Sequence, residues 1–270
     1  MRVSRTRAVV AATAGLAAVH ALPALAAVPG GRSLFRTVRR VDGSGRVGLT
    51  FDDGPEPEAV EGFLEALGSL GVRATFFLVG EQVARSPEAA RRIVEGGHEI
   101  ACHGYRHLNH LRLTPPATVR DLKAARDAIF GETGADIRHF RPPYGVFNAA
   151  SWVTAEKLGW QRVLWARWGR DWERDATPQL IRERVLSGIR DGDVILLHDA
   201  EAYSSAGSWR RTLAALEPLV TELRARRLEP GPVGLVAAAP AGIASANGAG
   251  HASHPANGQR PADRGGGRSR

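Results

Sequence analysis

Short apolar runs alternate with amphipathic stretches from residue 46 to about residue 236. Apolar runs this short are typical of strands that are buried on both faces. Between two of them, residues 57–67 carry apolar side chains at i, i+3, i+4 and i+7, which is the spacing of one helix face. The six clear runs are residues 47–51, 74–79, 98–102, 137–141, 161–166 and 194–198, and a weaker seventh lies in residues 233–236.

Strands that alternate with helices predict an α/β fold with a parallel sheet. The pattern fits a small barrel, and it fits a doubly wound open sheet equally well. Ser86, Thr114 and Thr177 each precede a proline, which predicts a helix N-cap followed by proline at the first helical position. The pattern therefore predicts alternating strands and helices, and it leaves the choice between barrel and open sheet undecided.

The two ends of the chain differ in composition from the middle. Residues 1–27 carry three arginines before an alanine-rich apolar stretch, and residues 24–26 (ALA) fit a small-x-small cleavage site. We interpret residues 1–27 as an export signal; the alternative is an uncleaved anchor, because the stretch approaches membrane-spanning length. Residues 28–45 are interpreted as a linker, residues 46–237 as the one folded domain, and residues 238–270 as a disordered tail rich in Gly, Ala, Pro and Arg.

The net charge of +8 comes from the ends of the chain. Residues 1–40 hold seven arginines and no acidic residue, and four arginines with one aspartate follow residue 240, which leaves 25 basic and 27 acidic residues between them. A nearly neutral middle argues against nucleic acid as a partner. Cys102 is the only cysteine, so an intrachain disulfide and a cysteine-based zinc knot are excluded, and we interpret it as a small buried residue.

Polar side chains stand at the ends of several predicted strands. Asp52 and Asp53 follow the first run, His103 the third, Arg141 the fourth and His198 the sixth. In a parallel sheet the C-terminal strand ends lie on one edge or rim, where α/β proteins build their sites. These side chains, although far apart in sequence, can therefore converge.

Two adjacent carboxylates, Asp52 and Asp53, end the first run. Neighbouring residues on a strand point to opposite faces, so both can share one site only where the strand ends, and Gly54-Pro55 supplies that turn. This placement indicates a division of labour in which one carboxylate binds a metal and the other acts as a base. The alternative is that Asp53 caps a helix that begins near Pro55 or Pro57.

His103 and His107 are four residues apart. If the chain turns helical after Cys102, both imidazoles project from one face and can bind one metal. With an aspartate from the first strand end they form a three-ligand set, which leaves a position open for water as a catalytic zinc-type site requires. The alternative is that both histidines are surface or packing residues.

Later strand ends and loops carry further candidates. Arg141 can pair with a carboxylate of the site, and backbone N–H groups near Tyr144 can face a developing oxyanion; the alternative is a rigid loop with a surface arginine. His198 suits a general acid, and Asp171 can orient it and raise its pKa; the alternative is a buried structural histidine. The tryptophans near Asp171 can line a sugar-binding groove, or they can belong to the core.

Together these stretches resemble the polysaccharide deacetylase family, carbohydrate esterase family four. The resemblance covers roughly residues 46–200, and five motifs follow in the family's order: TFDDGP at 50–55, HGYRH at 103–107, RPPYG at 141–145, DW at 171–172 and LLH at 196–198. It implies a single domain with a distorted (β/α) barrel of about seven parallel strands. It also implies removal of N- or O-acetyl groups from carbohydrates with a divalent metal, commonly zinc or cobalt.

The first two motifs imply the base and the metal ligands. The resemblance makes Asp52 the catalytic base and assigns metal binding to Asp53, His103 and His107. The family usually has Ser or Thr where this chain has Gly104. Since that hydroxyl steadies the loop rather than binding metal, the departure bears on loop rigidity and metal affinity and not on which residues are ligands.

The remaining motifs imply the other catalytic and substrate-binding residues. The resemblance implies that Arg141 braces the base and that Asp171 tunes His198, which is the general acid. The substrate-binding residues that it implies are Tyr144 through its amide, Pro143, and Trp172 in the groove.

The expected substrate is an acetylated polysaccharide, such as peptidoglycan or chitin oligomers, because an export signal places the protein outside the cytoplasm. We expect a secreted or cell-envelope-associated monomer that uses zinc, cobalt or another divalent ion, with membrane contact only if the N-terminal segment stays uncleaved. Two alternatives stay open. One is a hydrolase of the same scaffold that acts on another acyl or imide substrate, and the other is a non-catalytic carbohydrate-binding wall protein.

Overall fold

The computed structural model describes residues 2–234, and within them eight parallel strands form one sheet. The strands are β1 (Arg46–Asp52), β2 (Thr75–Leu78), β3 (Glu99–Cys102), β4 (His139–Phe140), β5 (Gln161–Arg162), β6 (Arg167–Trp168), β7 (Val194–His198) and β8 (Glu229–Gly231). Their order is β5-β4-β3-β2-β1-β7-β6, and β8 also pairs with β1. The sheet curls into a distorted (β/α) barrel in a single domain, which confirms the predicted fold class.

The six clear apolar runs all overlap strands, and two details differ from the predicted pattern. In the run at residues 161–166, only residues 161–162 form a strand, and the next residue, Val163, forms an isolated bridge with Val38. The weak seventh run, at residues 233–236, begins after the end of β8. The N–H groups of Val233 and Gly234 donate to side chains and not to the backbone of a neighbouring strand. The rest of that run, residues 235–236, and the predicted tail lie outside the described residues.

Within the described residues, eight α-helices accompany the sheet. They are α1 (Arg2–Ala21), α2 (Pro57–Ser69), α3 (Gly80–Arg85), α4 (Pro87–Glu95), α5 (Pro115–Thr133), α6 (Ala149–Lys157), α7 (Pro178–Leu186) and α8 (Ser208–Ala225). Proline begins α4, α5 and α7, as the Ser-Pro and Thr-Pro pairs predict. Of these three helices, only α7 has a side-chain cap, in which the Thr177 hydroxyl accepts from the Leu180 N–H at 3.1 Å.

The segment before β1 pairs with the sheet. Val38 donates to the carbonyl of Arg162 at 2.8 Å, and the carbonyl of Arg39 accepts from the Val194 N–H at 3.0 Å. Arg40 adds an ion pair of 2.9 Å with the buried carboxylate of Asp193. Residues within the range interpreted as a linker therefore connect the β5 edge to the start of β7.

One apolar segment lies near the N-terminus. Val9–Ala27 spans 19 residues at a mean hydropathy of 1.8, which is long and apolar enough to cross a membrane by length and composition. An export signal and an anchor share this property. The two interpretations of this segment therefore both stay predictions.

Alternation along the strands divides the apolar side chains into two clusters. On β2, Phe76 packs with the helices in the main core, whereas Phe77 points to a smaller inner cluster with Ala101 and Val194. In the main core, the ring centroids of Phe51 and Phe63 lie 5.1 Å apart in an edge-to-face arrangement. This contact fixes α2 against the central strand, whose C-terminal end carries the paired carboxylates.

We expect Phe63→Ala to lower the free energy of unfolding by about 3–5 kcal/mol, because it opens a cavity under α2. Urea unfolding measures the change. Phe130→Ala on α5 is the matched control, since Phe130 is 58% exposed and its truncation should cost less than about 1 kcal/mol. Equal costs for the two substitutions would contradict this account of the core.

Candidate active site

The predicted site residues meet at the C-terminal ends of the strands. Asp52, the last residue of β1, pairs in register with His198, the last residue of β7. The Cys102 carbonyl at the end of β3 accepts from the Arg141 N–H at 3.0 Å, which aligns β3 with the residue that follows β4. Because all these strands are parallel, their last residues lie on one rim, as the strand-end pattern predicts.

The two carboxylates share the site because the chain changes direction between them. Asp53 has a left-handed backbone with φ +82°, and both Asp52 and Asp53 are 3% exposed. Helix α2 begins at Pro57 with Glu56 as its N-cap. Asp53 therefore does not cap α2, and the alternative interpretation of this carboxylate was wrong.

The two histidines do not lie on a helix, so the helical interpretation of their spacing was wrong. Residues 103–109 form a loop, in which Gly104 has φ +87°. The buried carboxylate of Asp121 on α5 accepts from the N–H groups of Tyr105 and Arg106 at 2.9 and 3.3 Å. Tertiary contacts with α5 therefore hold the loop that brings the two imidazoles together.

Asp53, His103 and His107 form a cluster that could hold a metal ion. Their candidate ligand atoms all lie within 4.8 Å of one another, and Asp53 Oδ1 lies 3.4 Å from His103 Nε2 and 3.3 Å from His107 Nε2. His103 Nδ1 is 2.8 Å from the Arg141 carbonyl and must donate to it, which leaves the Nε2 lone pair free. Asp53 Oδ1 is buried without a hydrogen-bond partner, so this donor set fits a divalent ion such as zinc.

The charge states of the cluster also suit a metal. Burial raises the pKa of Asp53, but the neighbouring imidazoles of His103, His198 and His107 outweigh it and lower the pKa to about 2. Burial lowers the pKa of His107 to about 4, although the negative charge of Asp53 acts to raise it. At neutral pH this gives an ionised carboxylate and a neutral imidazole, which are the forms that bind a metal.

Arg141 holds Asp52 from behind. The guanidinium is fully buried, and its Nη1 donates to Asp52 Oδ1 and, at 3.0 Å, to the hydroxyl of Thr50. The guanidinium carbon lies 4.0 Å from the centroid of the Phe77 ring. With Oδ1 engaged, Asp52 presents Oδ2 toward the cluster, 3.7 Å from His103 Nε2.

Asp171 holds His198 in a comparable way. The fully buried carboxylate accepts from the His198 N–H at 2.7 Å, from His198 Nδ1 at 2.9 Å and from the Thr212 hydroxyl at 2.7 Å. Burial lowers the pKa of His198, but Asp171, with help from Asp53 and Asp52, raises it to about 10. The imidazole therefore carries a proton at neutral pH, with Nε2 4.0 Å from Asp53 Oδ2.

These groups surround a cavity of about 240 Å³. The predicted site residues that line it are Asp52, Asp53, His103, His107, Tyr144, Trp172 and His198. Arg141 and Asp171 lie behind Asp52 and His198, which they contact. Pro143 is buried and does not line the cavity.

Tyr203 and Ser204 also line the cavity and have no role in the sequence interpretation. Trp165 and Trp168 line it as well, and they are among the tryptophans interpreted as either a sugar-binding groove or part of the core. The Tyr203 ring stacks on His107 at 4.3 Å between centroids, and its hydroxyl donates to Glu81 at 2.8 Å. The tryptophans were visible as a group beside Asp171, whereas Tyr203 lies in a loop with no periodic pattern, so no sequence signal pointed to it.

Comparison with known proteins agrees with this geometry. The model of the polysaccharide deacetylase family matches residues 39–163. A chitooligosaccharide deacetylase of Bradyrhizobium is 38% identical over 197 residues, which cover 70% of this chain and 89% of that protein. A peptidoglycan-N-acetylglucosamine deacetylase of Listeria monocytogenes is 31% identical over 185 residues, which cover 68% of this chain and 37% of that protein.

Solved structures show the same similarity. A family 4 carbohydrate esterase from Streptomyces lividans in complex with acetate is 34% identical, with a TM-score of 0.63 over 70% of this chain and 93% of that one. A carbohydrate esterase family 4 pseudoenzyme from Bacillus anthracis is 28% identical, with a TM-score of 0.64 over 70% of this chain and 64% of that one. Since a pseudoenzyme shares this fold, similarity alone does not distinguish an active member of the family from an inactive one.

We expect Gly104→Ser to lower the stability by about 1–2 kcal/mol and to weaken zinc binding. The serine would have to adopt φ +87°, and its Cβ would lie 3.2 Å from the Asp121 carboxylate that holds the loop. Urea unfolding and calorimetric zinc titration measure the two effects.

Gly134→Ser provides the matched control for this substitution. Gly134 has a similar backbone, with φ +64°, but a Cβ there would meet no atom within 4 Å. The control should show the backbone cost without any change in zinc affinity. If Gly104→Ser binds zinc as tightly as the control, Asp121 does not support the metal loop.

Proposed function

This chain belongs to the polysaccharide deacetylase family, and we propose that it releases acetate from N-acetylated sugars of an envelope polymer. Asp53, His103 and His107 would hold a divalent metal, with zinc the first choice for one carboxylate and two imidazoles. Asp52 would serve as the base and His198 as the acid. O-acetyl groups are a second possible substrate for the same site.

One observation carries this proposal: a carboxylate and a protonated imidazole face the same ligand cluster from different sides. Asp52 Oδ2 lies 3.7 Å from His103 Nε2, and His198 Nε2 lies 4.0 Å from Asp53 Oδ2. Each is braced by a fully buried partner, Arg141 for the base and the carboxylate behind His198 for the acid. A protein that only binds carbohydrate has no need for two oppositely charged groups held in this way.

The chain's own residues account for the proton transfers of amide hydrolysis. Asp52 accepts a proton from the water that attacks the acetyl carbon, and the Tyr144 N–H donates to the oxygen on which negative charge develops. His198 then donates its Nε2 proton to the sugar nitrogen as the carbon–nitrogen bond breaks, which releases acetate and the free amine. A divalent ion bound by Asp53, His103 and His107 would polarise the acetyl carbonyl.

The surroundings of the site support a sugar as substrate. Trp165 and Trp168 stack at 5.7 Å between ring centroids, and Trp172 continues the aromatic wall to an edge contact with His198 at 5.3 Å. Flat apolar surfaces of this kind suit the faces of sugar rings. The named relatives act on chitooligosaccharide or peptidoglycan, and the apolar N-terminal segment suits a protein that is secreted or held at the envelope.

We expect the purified, zinc-loaded chain to release acetate from N-acetylglucosamine oligomers or peptidoglycan, and chelation to abolish the release. Acetylxylan and a cyclic imide test the O-acetyl and imide alternatives in the same assay. If the chain binds zinc and is folded but releases acetate from neither N-acetylated polymer, the proposed function is wrong.

Asp52→Asn should lower turnover by about 10²–10⁴-fold while zinc stays bound at one ion per chain, because general base catalysis contributes about that much. His103→Ala should instead lose the zinc. Metal analysis and acetate assays on both variants separate the two roles. Nearly normal turnover of the first variant would exclude Asp52 as the base, and stoichiometric zinc in the second would exclude His103 as a ligand.

We expect Asp171→Asn to move the alkaline limb of the pH–rate profile to lower pH by roughly one to three units. Asp171 raises the pKa of His198, so its neutralisation lowers that pKa and the acid loses its proton at a lower pH. Thr212→Val is the matched control, since it removes one hydrogen bond to Asp171 but keeps the negative charge. An unmoved alkaline limb in the first variant would contradict the role of His198 as acid.

A further inference from the structure

A second cavity of about 370 Å³ adjoins the site. Tyr144, Gly145, Trp165 and Trp168 line both cavities and form the boundary between them. The far wall of the second cavity is basic, because it includes Arg32 and Arg39 from the segment before β1. A polymer that leaves the catalytic cavity along the tryptophans therefore reaches two arginines.

Arg39 is held in place without a counter-charge. Its Nη1 donates to the Trp165 carbonyl at 2.8 Å, a contact that does not involve the segment interpreted as an export signal. Its Nη2 donates to the Ala26 carbonyl of that segment at 2.6 Å, and its buried Nε has no hydrogen-bond partner. Within the described part of the chain, neither Arg39 nor Arg32 forms an ion pair with a carboxylate. Burial, Arg32 and Arg141 lower the pKa of Arg39 to about 10, so its charged neighbours are cations.

A half-buried guanidinium among other cations is unfavourable unless an anion approaches it. Carbonyl oxygens satisfy some of its N–H groups, but they do not neutralise its charge. An anion bound in the cavity would neutralise the charge of Arg39, and the planar guanidinium of an arginine suits the two oxygens of a carboxylate. The fixed side chain of Arg39 and the exposed side chain of Arg32 could then contact the same group.

We propose that this second cavity is a carboxylate subsite, which receives the acidic substituent of the sugar next to the one that is deacetylated. The occupant is a glycan whose neighbouring sugar carries carboxylates, as peptidoglycan does through its peptide, and not a neutral chitin oligomer. This inference rests on the proposed function, and it narrows the substrate class of the same site.

The test compares three substrates with the zinc-loaded full chain. They are a peptidoglycan fragment with free peptide carboxylates, the same fragment with those carboxylates amidated, and a neutral N-acetylglucosamine oligomer of matched length. We expect kcat/KM for the free-carboxylate fragment to exceed that for its amidated form by roughly tenfold, mainly through KM. Arg32→Gln should remove most of this ratio.

Arg36→Gln is the matched control, since Arg36 is an exposed arginine of the same segment and does not line the cavity. It should keep the full ratio. Arg32→Glu should lower the ratio below that of Arg32→Gln, because it places a like charge against the substituent. Arg32 makes no side-chain hydrogen bond within the described residues, so these substitutions should leave the fold intact.

The outcomes distinguish the inference from the function on which it rests. If the wild-type chain hydrolyses the free and amidated fragments equally well, or if Arg32→Gln keeps the ratio, the carboxylate subsite is wrong and the deacetylase activity stands. If no substrate of the three releases acetate, the proposed function itself fails. A preference for the neutral oligomer over both fragments would also overturn the subsite.

Discussion

The buried pair of Arg141 and Asp52 is the interaction on which the rest of the site depends. The guanidinium of Arg141 donates to Asp52 at the end of β1. The backbone carbonyl of Arg141 accepts from His103, and its backbone N–H donates to the Cys102 carbonyl at the end of β3. Loss of the carboxylate would leave an unpaired charge against the Phe77 ring, at a cost of about 3–5 kcal/mol. The contact between Arg141 and Asp52 therefore both stabilises the fold and aligns Asp52 with His103, the candidate metal ligand.

A second set of contacts, built from other elements, holds His198, the proposed acid. Asp171 follows β6, His198 ends β7 and Thr212 lies on α8, so this network shares no residue with the one around Arg141. The register of β7 against β1 places Asp52 directly beside His198 and sets the spacing of these two residues.

The segment before β1 shapes the surroundings of the site. Its backbone hydrogen bonds to Arg162 and Val194 bring Arg39 against the carbonyl of Trp165, a residue that lines the cavity of the candidate active site. The aromatic wall then connects the reaction centre to this basic surface. Catalytic machinery and substrate selection therefore lie on different parts of the chain, since the first uses strand ends and the second uses a peripheral segment.

The features of this protein that depend on local chemistry could be predicted from its amino-acid sequence. Apolar runs identified six of the eight described strands and missed β6 and β8, and proline pairs identified three helix starts. The residues at strand ends identified Asp52, His103 and His198, because parallel strands must end on one rim. The way in which His103 and His107 meet could not be predicted, because it depends on contacts between distant parts of the chain. A left-handed glycine and a carboxylate on α5 hold that loop, and neither contact has a period along the chain. The same holds for Tyr203 and Arg39, whose roles arise from packing between segments that are distant in sequence.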